Sequence, residues 1–283
     1  MSAANPPDPR SLWLNSPDAL LQVLCCVAFC GHDAHNFSSL TRAFRGDEVL
    51  WGCIKDRRGP KGRTALMACS KVGDMARVRW LLERGASVAA RADSGPSILM
   101  EACWNGHLEV VRMLLERGCD VNATHTDGSS CTALIFACQK GHLEIVRELL
   151  GRGANVNAAQ TNNGWTSLMS ACKYGHLGIV RELLDHGASV NAVQTNGVSS
   201  LMEACLRGRL EIVRVLLGQG ANANAARADD SWTSLMWACQ KGRLKIVREL
   251  LGQGADVNAA TEADNNTSLM LACENGHPQN GHR

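Results

Sequence analysis

The sequence has few aromatic side chains, 4% of its 283 residues, with one tyrosine and four phenylalanines. Seven tryptophans make up the rest, so the position of each carries more information than the total. Charge of one sign is also lacking: the formal net charge is +2, and acidic and basic residues alternate along the helical segments instead of forming blocks. That balance excludes the electrostatic footprint of a nucleic-acid-binding domain. The longest apolar run, "LLQVLCCVAF", is about half of the roughly 20 residues that a membrane span requires, and "MSAANPPDPR" lacks the basic-then-apolar layout of a secretory leader. An intracellular protein, cytoplasmic or nuclear, is expected. No Gly-x-Ser-x-Gly, Gly-x-x-x-x-Gly-Lys-Ser/Thr or His-Glu-x-x-His motif occurs, so nothing points to an enzyme.

What is present is a globular composition, 45% hydrophobic and 20% charged, with thirteen cysteines. Seven of these, Cys69, Cys103, Cys138, Cys172, Cys205, Cys239 and Cys273, follow alanine at intervals of 34, 35, 34, 33, 34 and 34 residues. A fixed period of this length is the signature of a tandem repeat. The cysteines then read as small apolar core residues in the reduced state, not as a disulfide framework.

One copy runs "TSLMSACKYGHLGIVRELLDHGASVNA" from Thr166. Leu168, Met169, Ala171 and Cys172 give the apolar face of a short helix ended by Gly175, because glycine tolerates the left-handed backbone of a C-cap. In the preceding copy Leu143, Ile145, Val146, Leu149 and Leu150 fall on one stripe of a second helix, which Gly153 stops. "NVNAAQTNNGW" reads as a tight turn or hairpin opening on a β-like "NVNA".

A thiol and an imidazole four residues apart, as at Cys138 and His142, raise the question of a metal site. Glycine separates the two, the cysteine belongs to the first helix and the histidine starts the second, and the histidine becomes Asp74, Arg209 and Arg243 in other copies. A shared site does not survive such changes, so no metal and no cofactor is expected.

These motifs, TxLxxA, GHLEIVRELL and GAxVNA, resemble the ankyrin repeat and cover about three-quarters of the chain, from Thr64 to His277. The resemblance implies an all-α ankyrin-repeat solenoid, with two antiparallel helices and a β-hairpin or turn per repeat. Where the family has Thr-Pro-Leu-His, this chain has Thr-Ser-Leu-Met or a close variant. Met67, Met100, Met169, Met202 and Met236 are expected to replace the histidine's hydrogen bond with apolar packing between repeats. Asn157, Asn191, Asn224 and Asn258 sit where the family closes its turns with asparagine.

The resemblance also implies a protein-binding scaffold or adaptor, whose variable positions form a concave recognition surface. The residues just before each glycine and just before each Thr or Ser give the candidates Lys71, Trp104, Asn105, Lys140, Trp165, Lys173, Tyr174, Arg207, Trp232 and Lys241. The cations suggest a basic stripe for an acidic, partly aromatic protein partner, with Trp104, Tyr174, Trp165 and Trp232 as anchors at exposed positions. Two bland readings stand beside this one. Trp165 and Trp232 could lie across the adjacent hairpin as packing, and Glu101, Glu203 and Glu274 could neutralise the stripe.

Residues 1–10 are Pro-rich and read as disordered, and residues 11–62 as a helical cap for the first repeat. Pro17, Leu20, Leu21, Val23 and Leu24, with "DEVLW" at Asp47 to Trp51, also resemble the two ends of an F-box. That alternative makes the chain a substrate receptor whose residues 16–54 bind the adaptor subunit of a cullin-type ubiquitin ligase. Cys25, Cys26, Cys30, His32, His35 and Cys53 lack a Cys-x-x-Cys pair and read as core. Six full repeats are expected over 63–266. A truncated seventh and a tail occupy 267–283, where Leu269, Met270 and Leu271 should cover the sixth repeat.

Overall fold

The computed structural model describes residues 63–91, 93 and 95–276. The cap and F-box readings, the Cys and His residues before Arg63, and the tail after Gly276 lie outside the described residues. Two compact units divide the chain, Met1–Asp120 and Val121–Arg283. Thirteen helices and no strands occur among the described residues, so the protein is an all-α repeat solenoid as expected.

In the first unit α1 (Ala65–Val72) is followed by α2 (Met75–Glu83), and α3 (Ile98–Asn105) by α4 (Leu108–Glu116). The second unit repeats the pairing: α5 (Ala133–Lys140) with α6 (Leu143–Gly151), α7 (Ser167–Tyr174) with α8 (Leu177–Asp185), and α9 (Ser200–Leu206) with α10 (Leu210–Gly218). Then come α11 (Ser234–Gln240) with α12 (Leu244–Gly252), and a single α13 (Ser268–Glu274). Within each unit first helices pack on first helices and second helices on second helices. Each unit is thus two helical layers.

The helix starts follow from local chemistry. Thr166 has extended backbone and its hydroxyl accepts from the Met169 N–H at 3.3 Å, and the same cap recurs at Thr64, Ser97, Thr132, Ser199, Thr233 and Thr267. The five methionines are buried, as expected of packing residues. Two of them do more: Met100 Sδ accepts from the Ser97 N–H at 3.3 Å and Met236 Sδ from the Thr233 N–H at 3.4 Å. Sulfur there completes a reciprocal cap of the kind glutamate usually makes.

Serine in place of proline has a cost. Ser167, Ser200 and Ser234 are fully buried, and their hydroxyls lack a well-formed hydrogen bond. Each sits beside the thiol of the preceding repeat, Cys138, Cys172 and Cys205 respectively. Ser167→Pro should therefore stabilise the protein by about 1 kcal/mol, since it removes an unpaired buried group and restricts the unfolded chain. Thr166, with ψ at 168°, already has the backbone that a residue before proline prefers. A rise in the urea midpoint at unchanged slope would show it, and a fall would mean that the ring cannot fit beside Cys138.

Three expectations are corrected. In the first repeat the register slips: Cys69 lies five residues after its cap Thr64, whereas Cys138 lies six after Thr132. Ser70 then fills the buried cysteine position, and Lys71 and Val72 are the pair that precedes Gly73. "NVNA" is a turn without strand, and the hairpin reduces to a single antiparallel bridge, Ala159 with Thr166. At the end of the second unit Leu271 is buried, but Leu269 and Met270 are each 51% exposed. Their counterparts Leu235 and Met236 lie on α11, which α13 packs against, whereas α13 is itself the last described helix.

The turn asparagines also act differently from the expectation. Asn157 donates to the Gly187 carbonyl (3.1 Å) and accepts from the Ser189 N–H (2.8 Å), tying its repeat to the next. Asn191 and Asn224 do the same one and two repeats later. The turn itself is closed by Asn155, whose Oδ1 accepts from the Asn157 N–H at 3.0 Å.

Candidate functional site

The first helices of each unit present three variable columns on one face. One column is the residue before the helix cap, the second is the fourth residue after the cap, and the third is the pair before the glycine. In the first unit Lys71 and Asn105 are exposed, and Asn105 Nδ2 donates to the Glu101 carbonyl at 2.8 Å. Glu101 is buried and paired with Arg63. Trp104 is half-buried instead of exposed, because its ring belongs to the last turn of a helix whose preceding residues are all in the core.

The second unit gathers most of the candidates. Trp165 is half-buried on its own repeat's first helix, and its indole N–H donates to Ser170 Oγ at 2.6 Å. Lys173 turns back over it, with Nζ 4.8 Å from the indole centroid and 5.8 Å from the Tyr174 ring. Tyr174 is 40% exposed, and its hydroxyl accepts from Gln139 Nε2 at 3.1 Å. Trp232 packs against Trp237, with ring centroids 4.4 Å apart. Both tryptophans before the cap thus make contacts with the first helix of their own repeat.

The basic stripe is less uniform than the sequence suggests. Lys140, Arg207 and Lys241 are exposed, but Arg207 Nε is 3.9 Å from Glu203, and the Lys173 ammonium faces aromatic rings. Sequence reasoning overlooked Phe136 and Trp237, which are half-buried on the same face. Their signal was available: the residue between methionine or isoleucine and alanine is Glu101, Phe136, Ser170, Glu203, Trp237 and Leu271 in successive copies, amid constant neighbours.

The thiol and imidazole pairs have separate duties. Burial pushes the Cys138, Cys172 and Cys205 thiols above their usual range, and that of Cys69 up to about 12. The histidines that start second helices reach back to the preceding repeat: His107 Nε2 to the Lys71 carbonyl at 2.9 Å and His176 Nε2 to that of Gln139 at 3.4 Å. Arg209 performs the same task, donating to the Tyr174 carbonyl at 3.3 Å. A guanidinium can replace an imidazole here because the partner is a carbonyl oxygen, which needs only a donor. Among the described residues no three His, Cys, Asp or Glu side chains converge as metal ligands would.

The opposite layer carries a charge ladder. Arg147 pairs with Glu144 of its own helix at 2.9 Å and with Glu182 of the next repeat at 2.8 Å, and Arg214 bridges Glu211 and Glu249 likewise. These arginines are about half exposed, so solvent screens each pair and the ladder is a weak stabiliser.

A family model of ankyrin repeats matches the chain three times, over residues 40–125, 123–194 and 201–280. The chain belongs to the ankyrin-repeat family. Comparison of this ankyrin-repeat protein with curated proteins gave no match. Ankyrin repeats generally mediate protein–protein interaction and are typically non-catalytic. Among the described residues of this one, no helix is long and apolar enough to cross a membrane.

Proposed function

We propose that this ankyrin-repeat protein is a non-catalytic scaffold or adaptor that binds a protein partner on the first-helix face. In the second unit Trp165, Tyr174 and Trp232 supply rigid apolar area, while Lys140, Lys173, Arg207 and Lys241 orient an acidic partner. Lys71, Trp104 and Asn105 hold the corresponding columns of the first unit. The observation that carries the reading is the concentration of incompletely buried aromatic rings in the columns that vary between otherwise near-identical repeats. Aromatic and arginine side chains dominate interface energies, and a repeat stack needs neither there.

Tyr174→Ala is the clean test, because the residue is 40% exposed and its contacts with Gln139, Lys173 and His176 lie at the edge of the stack. Affinity for a purified partner should fall by about 2 kcal/mol, roughly 30-fold, with thermal stability unchanged. Lys140→Glu with Lys241→Glu should slow association and flatten its salt dependence, leaving dissociation nearly untouched. Unchanged affinity in both variants would remove the first-helix face from the interface.

A further inference from the structure

Repeats of one sequence serve as controls for each other, and the two tryptophan-bearing repeats of the second unit differ in one informative place. Trp165 stands five residues before Ser170 and eight before Lys173, and Trp232 stands five before Trp237 and eight before Gln240. The register is the same. In the earlier repeat the eighth residue is a lysine, and its ammonium sits over the Trp165 ring at 4.8 Å. In the later repeat the eighth residue is the neutral Gln240, and the aromatic area has grown, since Trp237 takes the place of Ser170. Trp232 and Trp237 touch each other at 4.4 Å, both are half-buried, and among the described residues no lysine or arginine covers either ring, Lys241 included.

We infer that the Trp232–Trp237 pair is a subsite for a lysine or arginine side chain of the protein partner, filling from outside the place that Lys173 fills from within. The inference rests on the protein-binding reading of this face and adds a basic residue to the chemistry of the partner. An indole face attracts a cation through its quadrupole more strongly than any other side-chain ring. Charge around the pair fits the same occupant. Glu203 holds in the preceding repeat the column that Trp237 holds here, and exposed Glu274 holds in the following one the column of Gln240. The helices bearing them, α9 and α13, both pack against α11. Arg207 is paired with Glu203 at 3.9 Å, which offsets that carboxylate, so exposed Glu274 is the stronger complement to the incoming charge.

The full chain, labelled with ¹⁵N, can be titrated with Nα-acetyl-lysine amide and, in parallel, with the uncharged Nα-acetyl-norleucine amide, following the indole N–H resonances. The Trp232 and Trp237 signals should move saturably with the lysine probe, at about fivefold lower concentration than with norleucine, the factor of one exposed cation–π contact. Trp165 should stay still. Gln240→Lys should abolish the response by supplying the cation internally, and Lys173→Gln should uncover a second response at Trp165. Equal responses to the two probes, or a Gln240→Lys protein that responds like wild type, would overturn the subsite. A purified partner whose affinity ignores Gln240→Lys would also overturn it while leaving the protein-binding reading intact. A normal lysine response in a protein whose partner is insensitive to Tyr174→Ala and to the Lys140 and Lys241 reversals would do the reverse.

Discussion

Between pH 8 and pH 10 the protein should lose on the order of 10 kcal/mol of stability, far more than an ankyrin-repeat stack without buried cysteines. Cys119, Cys131 and Cys239, raised by burial to about 11, contribute part of this, and the larger part comes from four more deeply buried thiols, Cys69, Cys138, Cys172 and Cys205, whose ionisation burial pushes further up from an ordinary value of 9.0. In the folded state all four remain protonated at pH 10. In the unfolded chain they ionise normally, and at pH 10 each favours unfolding by about 1.4 kcal/mol. The sign follows from the direction of the shift. A pKa raised on folding leaves its stabilisation intact below the unfolded value and removes it progressively above, so the loss begins near pH 9 and continues until the folded thiols titrate. Urea midpoints at pH 8 and pH 10, compared for wild type and a Cys138→Ala, Cys172→Ala, Cys205→Ala protein, isolate the effect. The triple variant should lose about 4 kcal/mol less over this interval, and parallel losses would refute the thiol origin.

The second large effect separates backbone strain from a contact between repeats. Gly141 and Gly153 both have left-handed backbone, with φ of 84° and 82°. A Cβ on Gly153 would meet nothing within 4 Å, whereas one on Gly141 would lie 2.6 Å from Cε1 of His176 in the next repeat. Gly153→Ala should then cost only the conformational term, about 1–2 kcal/mol. Gly141→Ala should cost about 3 kcal/mol, since the imidazole must also move off the Gln139 carbonyl that it caps. Adding His176→Ala should recover part of the excess at Gly141 and none at Gly153. Equal costs at both glycines would mean that the histidine accommodates the methyl freely.

The period, helix pairing and caps were legible because each depends on chemistry local to a few residues: Thr or Ser before the helix, glycine after it, and an apolar stripe between. What depends on the neighbouring repeat was not. The slip at Cys69 is masked because the interval to Cys103 is still 34, and it takes the distances to Thr64 and Gly73, together with the packing, to show that Ser70 has moved into the core. His176 and Arg209 look unrelated in sequence, yet each donates to a carbonyl of the preceding first helix. A variable position indicates the face on which a side chain lies, but not where it turns. Lys173 therefore reads as a free cation in sequence and is folded onto Trp165 in the structure. Trp237 escaped for a simpler reason: it stands in the middle of its helix, away from both the glycine and the cap, where the surrounding residues are core.

On the proposed function the first-helix face, and not the charge ladder of the second helices, receives a protein. Photo-crosslinking with benzoylphenylalanine placed in the full chain tests it most directly, once at Tyr174 on the first-helix face and once at Arg147 on the ladder. A discrete protein adduct should form from position 174 and be suppressed by an excess of unlabelled chain, with none from position 147. Adducts from 147 alone, or from both positions equally, would contradict it.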